Sequence, residues 1–151
     1  MRDPVAKMGG SFVSGKFDEA KHTNPLSVVF GAFDEFCGDL LRNGSDWATS
    51  LKIDMITALQ GRGSSSLAST LPNLGTILAA ASSSNSPGAN HYPEVGGLGG
   101  MESLNQFIFH FRCFIRSLAT PNHPLLLVLD DCQWADSAAL EFISLLSSDD
   151  E

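Results

Sequence analysis

Two adjacent carboxylates, Asp130 and Asp131, follow the unbroken apolar run Leu125 to Leu129. A buried strand of that kind carries its last residue to the carboxyl edge of a sheet. There a first acid can hold Mg2+ through water and a second can polarise an attacking water. On this reading Asp130 orients the metal and Asp131 is the candidate general base. A plainer reading stands beside it, because strands of α/β proteins also end in Asp to cap the next helix or to solvate a loop.

A second stretch could hold the anion that such a metal serves. GSFVSGKF, Gly10 to Phe17, fits the phosphate-loop spacing G-x-x-x-x-G-K-[ST] except at its last position, where Phe17 replaces the hydroxyl residue. A working loop follows a buried strand and opens a helix, so that backbone N–H groups and the positive helix end converge on phosphate. Here the upstream RDPVAKMG is polar and interrupted by Pro4, Phe12 and Val13 are strand formers, and the downstream GKFDEAKHTN is polar and turn-like. The segment is therefore expected to form a strand, Ser11 to Ser14, followed by a turn in which Lys16 is solvated.

The remaining polar candidates have structural roles ready for them. Trp134 is expected to pack under the last helix rather than to shape a ligand site with Gln133, and Asp136 to cap that helix. His22, His91, His110 and His123 are scattered and form no metal or triad arrangement. Cys37, Cys113 and Cys132 lie far apart without metal-ligand spacing; each sits among apolar residues and is expected to be a small buried hydrophobe in a reducing compartment.

The elements that must position Asp130 and Asp131 can be traced by periodicity. A helix capped by Asn24, with Pro25 at its first position, carries Leu26, Val29, Phe30, Phe33, Phe36, Leu40 and Leu41 as far as Arg42. Ser45 or Asp46 caps a second, with Trp47, Leu51, Met55, Ala58 and Leu59 on one face and Gly61 to stop it. Leu71 to Ala80 suits a short helix, and Ser82 to Gly100 a flexible insertion. Met101 to Ala119 has the clearest helical stripe: Leu104, Phe107, Ile108, Phe111, Ile115 and Leu118, with Phe109 and Phe114 adding apolar surface on neighbouring faces. Leu125 to Leu129 is expected in the middle of a parallel sheet with both faces covered, and Ser137 to Leu146 forms the last helix. This order is α/β, with a long helical crossover joining two parallel strands.

The bulk composition narrows the partners. The 151 residues carry a formal net charge of −8, which opposes direct binding to nucleic acid or anionic membrane, since both need clustered Lys and Arg. MRDPVAKMGG has no apolar targeting core, and no run reaches the roughly 18 residues of a spanning helix, so a cytoplasmic location is expected.

The longer string DDCQWADSAAL resembles the DDLQWAD or DDLHWAD signature of the origin-recognition-like AAA ATPase modules, signal-transducing P-loop ATPases of large kinases and cyclases. GGSFVSGKFDEAKHTNPLSVVFGAF is similar to that family's GGYFVSGKFDQ…PYSALVQAF region, and SLNQFIFHFRCFIRSLATPNHPLLLVLDD to its helix leading into the Walker B strand. The resemblance implies a partial P-loop NTPase (AAA-type) three-layer fold spanning residues 1–151, from the second strand through the Walker B strand and the following helix, with an insertion at about 82–100. It implies ATP and Mg2+ as ligands of the complete domain, Asp130 as the Mg2+-orienting acid and Asp131 as the base. It also places the true phosphate loop before Met1, so that an internal piece, inactive alone, is expected. Departures are Leu26 in place of a common aromatic, Cys132 in place of Leu and Gln106 in place of a frequent Arg. The alternative is a non-catalytic adaptor remnant that binds a protein partner through apolar helices, especially Met101 to Ala119. Two strands of a normally five-stranded sheet would leave edges unpaired.

Overall fold

The structure is a computed structural model that describes residues 9–19, 26–59, 64–82, 101–121 and 123–147. Strand β1, Ser11–Lys16, pairs in parallel with β2, Leu125–Asp130, in continuous register from Ser11 opposite Leu125 to Lys16 opposite Asp130. Period-two alternation decides which side chains of β1 enter the core. Ser11, Val13 and Phe17 are buried, while Phe12 and Ser14 are half-buried and Lys16 is exposed. The strand runs two residues beyond the expected Ser14 because Gly15 and Lys16 find partners in Leu129 and Asp130.

Between the strands, helices α1, Ser27–Arg42, α2, Asp46–Leu59, α3, Ser64–Thr70, α4, Pro72–Ser82, and α5, Met101–Leu118, form the connection. Helix α6, Ser137–Ser147, follows β2. Val29, Phe33, Phe36 and Leu40 are buried on α1, as its periodicity predicts, and Ala32 and Cys37 join them, but Leu26 and Phe30 are half-buried and Leu41 is exposed. The expected cap, Asn24 and Pro25, lies outside the described residues. Helix α2 is capped by Ser45, whose Oγ accepts the Ala48 N–H at 3.3 Å. Its buried face is Ala48, Leu51, Met55 and Leu59, with Trp47 half-buried and Ala58 exposed. Gly61 lies outside the described residues.

The helix expected over residues 71–80 is present as α4, and an unexpected one, α3, stands before it over Ser64–Thr70. Leu67, Leu71, Leu74 and Ile77 are all buried along the pair. The first turn of α4 is held from another element: Asp34 of α1 accepts the Asn73 N–H at 2.8 Å and the Asn73 side-chain amide at 2.8 Å. The insertion expected at 82–100 lies outside the described residues except for Ser82, the last residue of α4.

The centre of the core is aromatic. Phe30 and Phe33 of α1, Phe107, Phe111 and Phe114 of α5, and Phe142 of α6 make ring contacts with centroids 5.3–6.0 Å apart, mostly edge to face, the favoured arrangement. Phe114 is buried, as expected of a helix covered on more than one side, but Phe109 is 61% exposed.

The sheet departs from expectation. Among the described residues it has two strands, compatible with part of a P-loop α/β fold, and helices pack on one of its faces. Leu125, Leu127 and Leu129 pack against the core, whereas Leu126 on the opposite face is 42% exposed. The unbroken apolar run of β2 is therefore not covered on both faces by the described residues.

Candidate functional site

Parallel pairing brings the ends of β1 and β2 to one rim. The Phe17 N–H donates to the Asp130 carbonyl at 3.1 Å and continues the ladder to the last residue of β2. Asp131 then turns the chain in the left-handed region, with φ 54° and ψ 40°, a conformation that Asp adopts more readily than most residues. A 3-10 turn, Cys132–Trp134, leads on to α6, whose first turn is capped by Asp136: its Oδ1 accepts the Ala139 N–H at 2.7 Å. This is the role that Asp136 is expected to have.

The two candidate acids stand side by side at this rim, each with one oxygen occupied internally. Asp130 Oδ1 accepts the Asp131 N–H at 2.9 Å, and Asp131 Oδ1 accepts from the Gln133 side-chain amide at 3.3 Å. The other oxygen of each faces Lys16. Its Nζ lies 3.1 Å from Asp131 Oδ2 and 3.9 Å from Asp130 Oδ2. Lys16 is thus an ion-pair partner of both acids and not a free turn lysine, a correction that follows from its register opposite Asp130. Hydrogen bonding to Asp131, with the field of both acids, raises the Lys16 pKa. The bond from Lys16, followed by that from Gln133, holds the Asp131 carboxyl below its ordinary value.

Two further expectations are corrected here. Trp134 is 39% exposed, more than burial under the last helix would leave it. Cys132 is exposed as well, its thiol donating to the Leu129 carbonyl at 3.4 Å, while Cys37 is buried and Cys113 half-buried.

GSFVSGK supplies no phosphate cradle, because Ser11 to Lys16 is strand. Gly15 is small for a packing reason: a Cβ there would meet Val28 Cγ1 at 3.1 Å and the Val28 carbonyl at 3.3 Å, so it lets α1 approach the sheet.

The rim suits Mg2+ in one specific way. Mg2+ keeps several waters and is commonly held by one or two carboxylates. Asp130 and Asp131 offer hard oxygen donors, and the Lys16 ammonium marks where their fields converge on a cation. Among the described residues no group of three or more His, Cys, Asp or Glu is placed to hold a metal, so an all-protein cage is not formed there. An open cleft of about 420 Å³ lies elsewhere, on the α2–α5 seam, lined by Asp54, Thr57, Cys113, Arg116, Ser117 and Thr120. Thr120 precedes β2, whereas the acids end it.

Comparison with known proteins gives the family. The family model described as AAA ATPase domain matches residues 2–151. Hybrid signal transduction histidine kinase G of Dictyostelium discoideum is 30% identical over 135 residues, which is 89% of this chain and 4% of the length of that protein. No solved structure matches the chain. Among the described residues no helix is long and apolar enough to cross a membrane.

Proposed function

The chain belongs to the AAA ATPase domain family, and we propose that it supplies the metal side of an ATP·Mg2+ site in a signalling ATPase. The observation that carries this reading is the convergence of Asp130 and Asp131, both solvent-accessible, at the rim where β1 and β2 end. When bound, Mg2+ would neutralise charge on the triphosphate oxygens. Asp130 would hold its hydration shell through an oxygen at the strand end. Asp131, one residue on and turned by its left-handed backbone, would orient the attacking water.

The bonds from Lys16 and Gln133 favour the ionised form of Asp131 and make it a weaker base than an unpaired carboxylate. Its task is therefore to orient and polarise water more than to remove its proton outright. The described residues provide no anion cradle, so the chain alone is expected to bind Mg2+ weakly and to turn over no ATP. The signalling role is supported by the likeness to a signal transduction histidine kinase. A reducing, cytoplasmic setting belongs to the same proposal, supported by the free thiols of Cys37, Cys113 and Cys132.

A second reading, an adaptor module that binds a protein, draws on apolar side chains left exposed. Helix α5 spends Phe111, Phe114 and Leu118 on the core but leaves Phe109 61% exposed, and Leu126 of β2 and Leu140 and Leu145 of α6 are exposed as well.

Mn2+ used as a paramagnetic stand-in for Mg2+ tests the first reading by amide NMR. Selective broadening at Lys16, Phe17 and residues 130–132, lost in Asp130→Asn, is expected. Broadening centred elsewhere, or unchanged in Asp130→Asn, would overturn it.

A further inference from the structure

Lys16 stands at the rim with no part in the chemistry described so far, yet its position is closely specified. Its backbone is fixed opposite Asp130 by the parallel register, and the Phe17 N–H bond to Asp130 fixes the next residue as well. From there its side chain reaches the two oxygens that the local turn leaves over. Asp130 Oδ1 is held by the Asp131 N–H and Asp131 Oδ1 by Gln133, while both Oδ2 atoms face the ammonium. Two carboxylate oxygens held around one cation are the donor pair that a hydrated divalent ion would use.

We propose that Lys16 is a built-in counter-cation that occupies the metal's place in the free protein and withdraws when a divalent cation arrives. The inference rests on the metal-side reading of Asp130 and Asp131 and adds a competitor to it. An ammonium and a hydrated Mg2+ cannot share the same two oxygens without repulsion, so one excludes the other. Withdrawal is easy for this side chain: it is 69% exposed, and the ammonium is a compact, strongly hydrated charge on a flexible stem. An exposed pair of this kind adds little to the stability of a fold, so breaking it leaves the strands in place. The consequence is regulatory. With Lys16 seated, its charge offsets part of the repulsion between the adjacent acids when no metal is present, and metal affinity is held down. A bound triphosphate, with several negative charges of its own, would supply an alternative partner for the released ammonium.

The test compares Mn2+ affinity, by electron paramagnetic resonance of the free ion, in the whole chain and in Lys16→Gln, Lys16→Arg and Asp130→Asn, with far-UV circular dichroism to confirm folding. Removing one unit charge at this range from an open site should tighten Mn2+ binding on the order of fivefold in Lys16→Gln. Lys16→Arg, which keeps the cation, should stay near the parent chain, a contrast that a merely structural role for Lys16 would not produce. Equal or weaker binding in Lys16→Gln, with binding lost in Asp130→Asn, would overturn the counter-cation while leaving the metal site standing. Binding retained in Asp130→Asn would overturn the site itself and the counter-cation with it.

Discussion

Lys16 and Asp131 meet at 3.1 Å across the end of the parallel β1–β2 pair, although about three quarters of the chain lies between them. One strand contributes a cation and the other an acid pair, and the parallel register sets both at the same rim. The GK of an apparent phosphate loop thus becomes the partner of the acids that follow β2.

Gly15 separates this account from the phosphate-loop reading of the same residues. A methyl group there would press on Val28 Cγ1 at 3.1 Å and on the Val28 carbonyl at 3.3 Å. Gly15→Ala is expected to cost about 1–3 kcal/mol in urea denaturation, the usual range for overpacking. A neutral or stabilising result would contradict the close approach of α1 to the sheet.

Asp34 links α1 to the start of α4 through both the backbone and the side chain of Asn73. Asp34→Ala removes a helix cap and leaves part-buried donors unpaired. It is expected to destabilise the chain by about 1–2 kcal/mol, measured by the same denaturation series. Asn73→Ala should cost less, since the backbone N–H would keep its acceptor.

Local pattern was enough for several elements. The stripe of α5, the Ser45 and Asp136 caps and the strand ending in Asp130 are written in short-range chemistry, and the structure has them in place. What escaped is non-local. Helix α3 consists of SSSLAST, with low helix propensity and one large apolar residue, Leu67, so burial against the rest of the core, not periodicity, forms it. The exposure of Leu126 depends on which face of the sheet receives helices, which an unbroken apolar run does not encode. The pairing of Lys16 with Asp131 depends on a register between distant strands, and a lysine after glycine looks locally like a turn.

The three thiols should differ in reactivity. Burial, with the nearby Asp34 charge adding to it, pushes the Cys37 pKa from 9.0 up to about 12, while Cys132 is exposed. A thiol reagent near pH 8 should label Cys132 rapidly and Cys37 only after unfolding. The linkage has a definite sign. Below pH 9.0 both states keep the Cys37 proton; between 9.0 and about 12 the unfolded thiol ionises while the native one does not. Stability from this group is therefore full below pH 9.0 and is lost as pH rises toward 12. Urea midpoints should fall across that window, and Cys37→Ala should reduce the slope.

The central claim concerns where a divalent cation goes. Crystals of the chain soaked in Mn2+ and measured at the manganese absorption edge would locate it directly. The account predicts an anomalous peak beside the Asp130 and Asp131 carboxylates, with the Lys16 ammonium displaced and no peak in Asp130→Asn crystals. A peak on the α2–α5 cleft or at the Gly10–Lys16 segment, with the Asp130 rim empty, would contradict it.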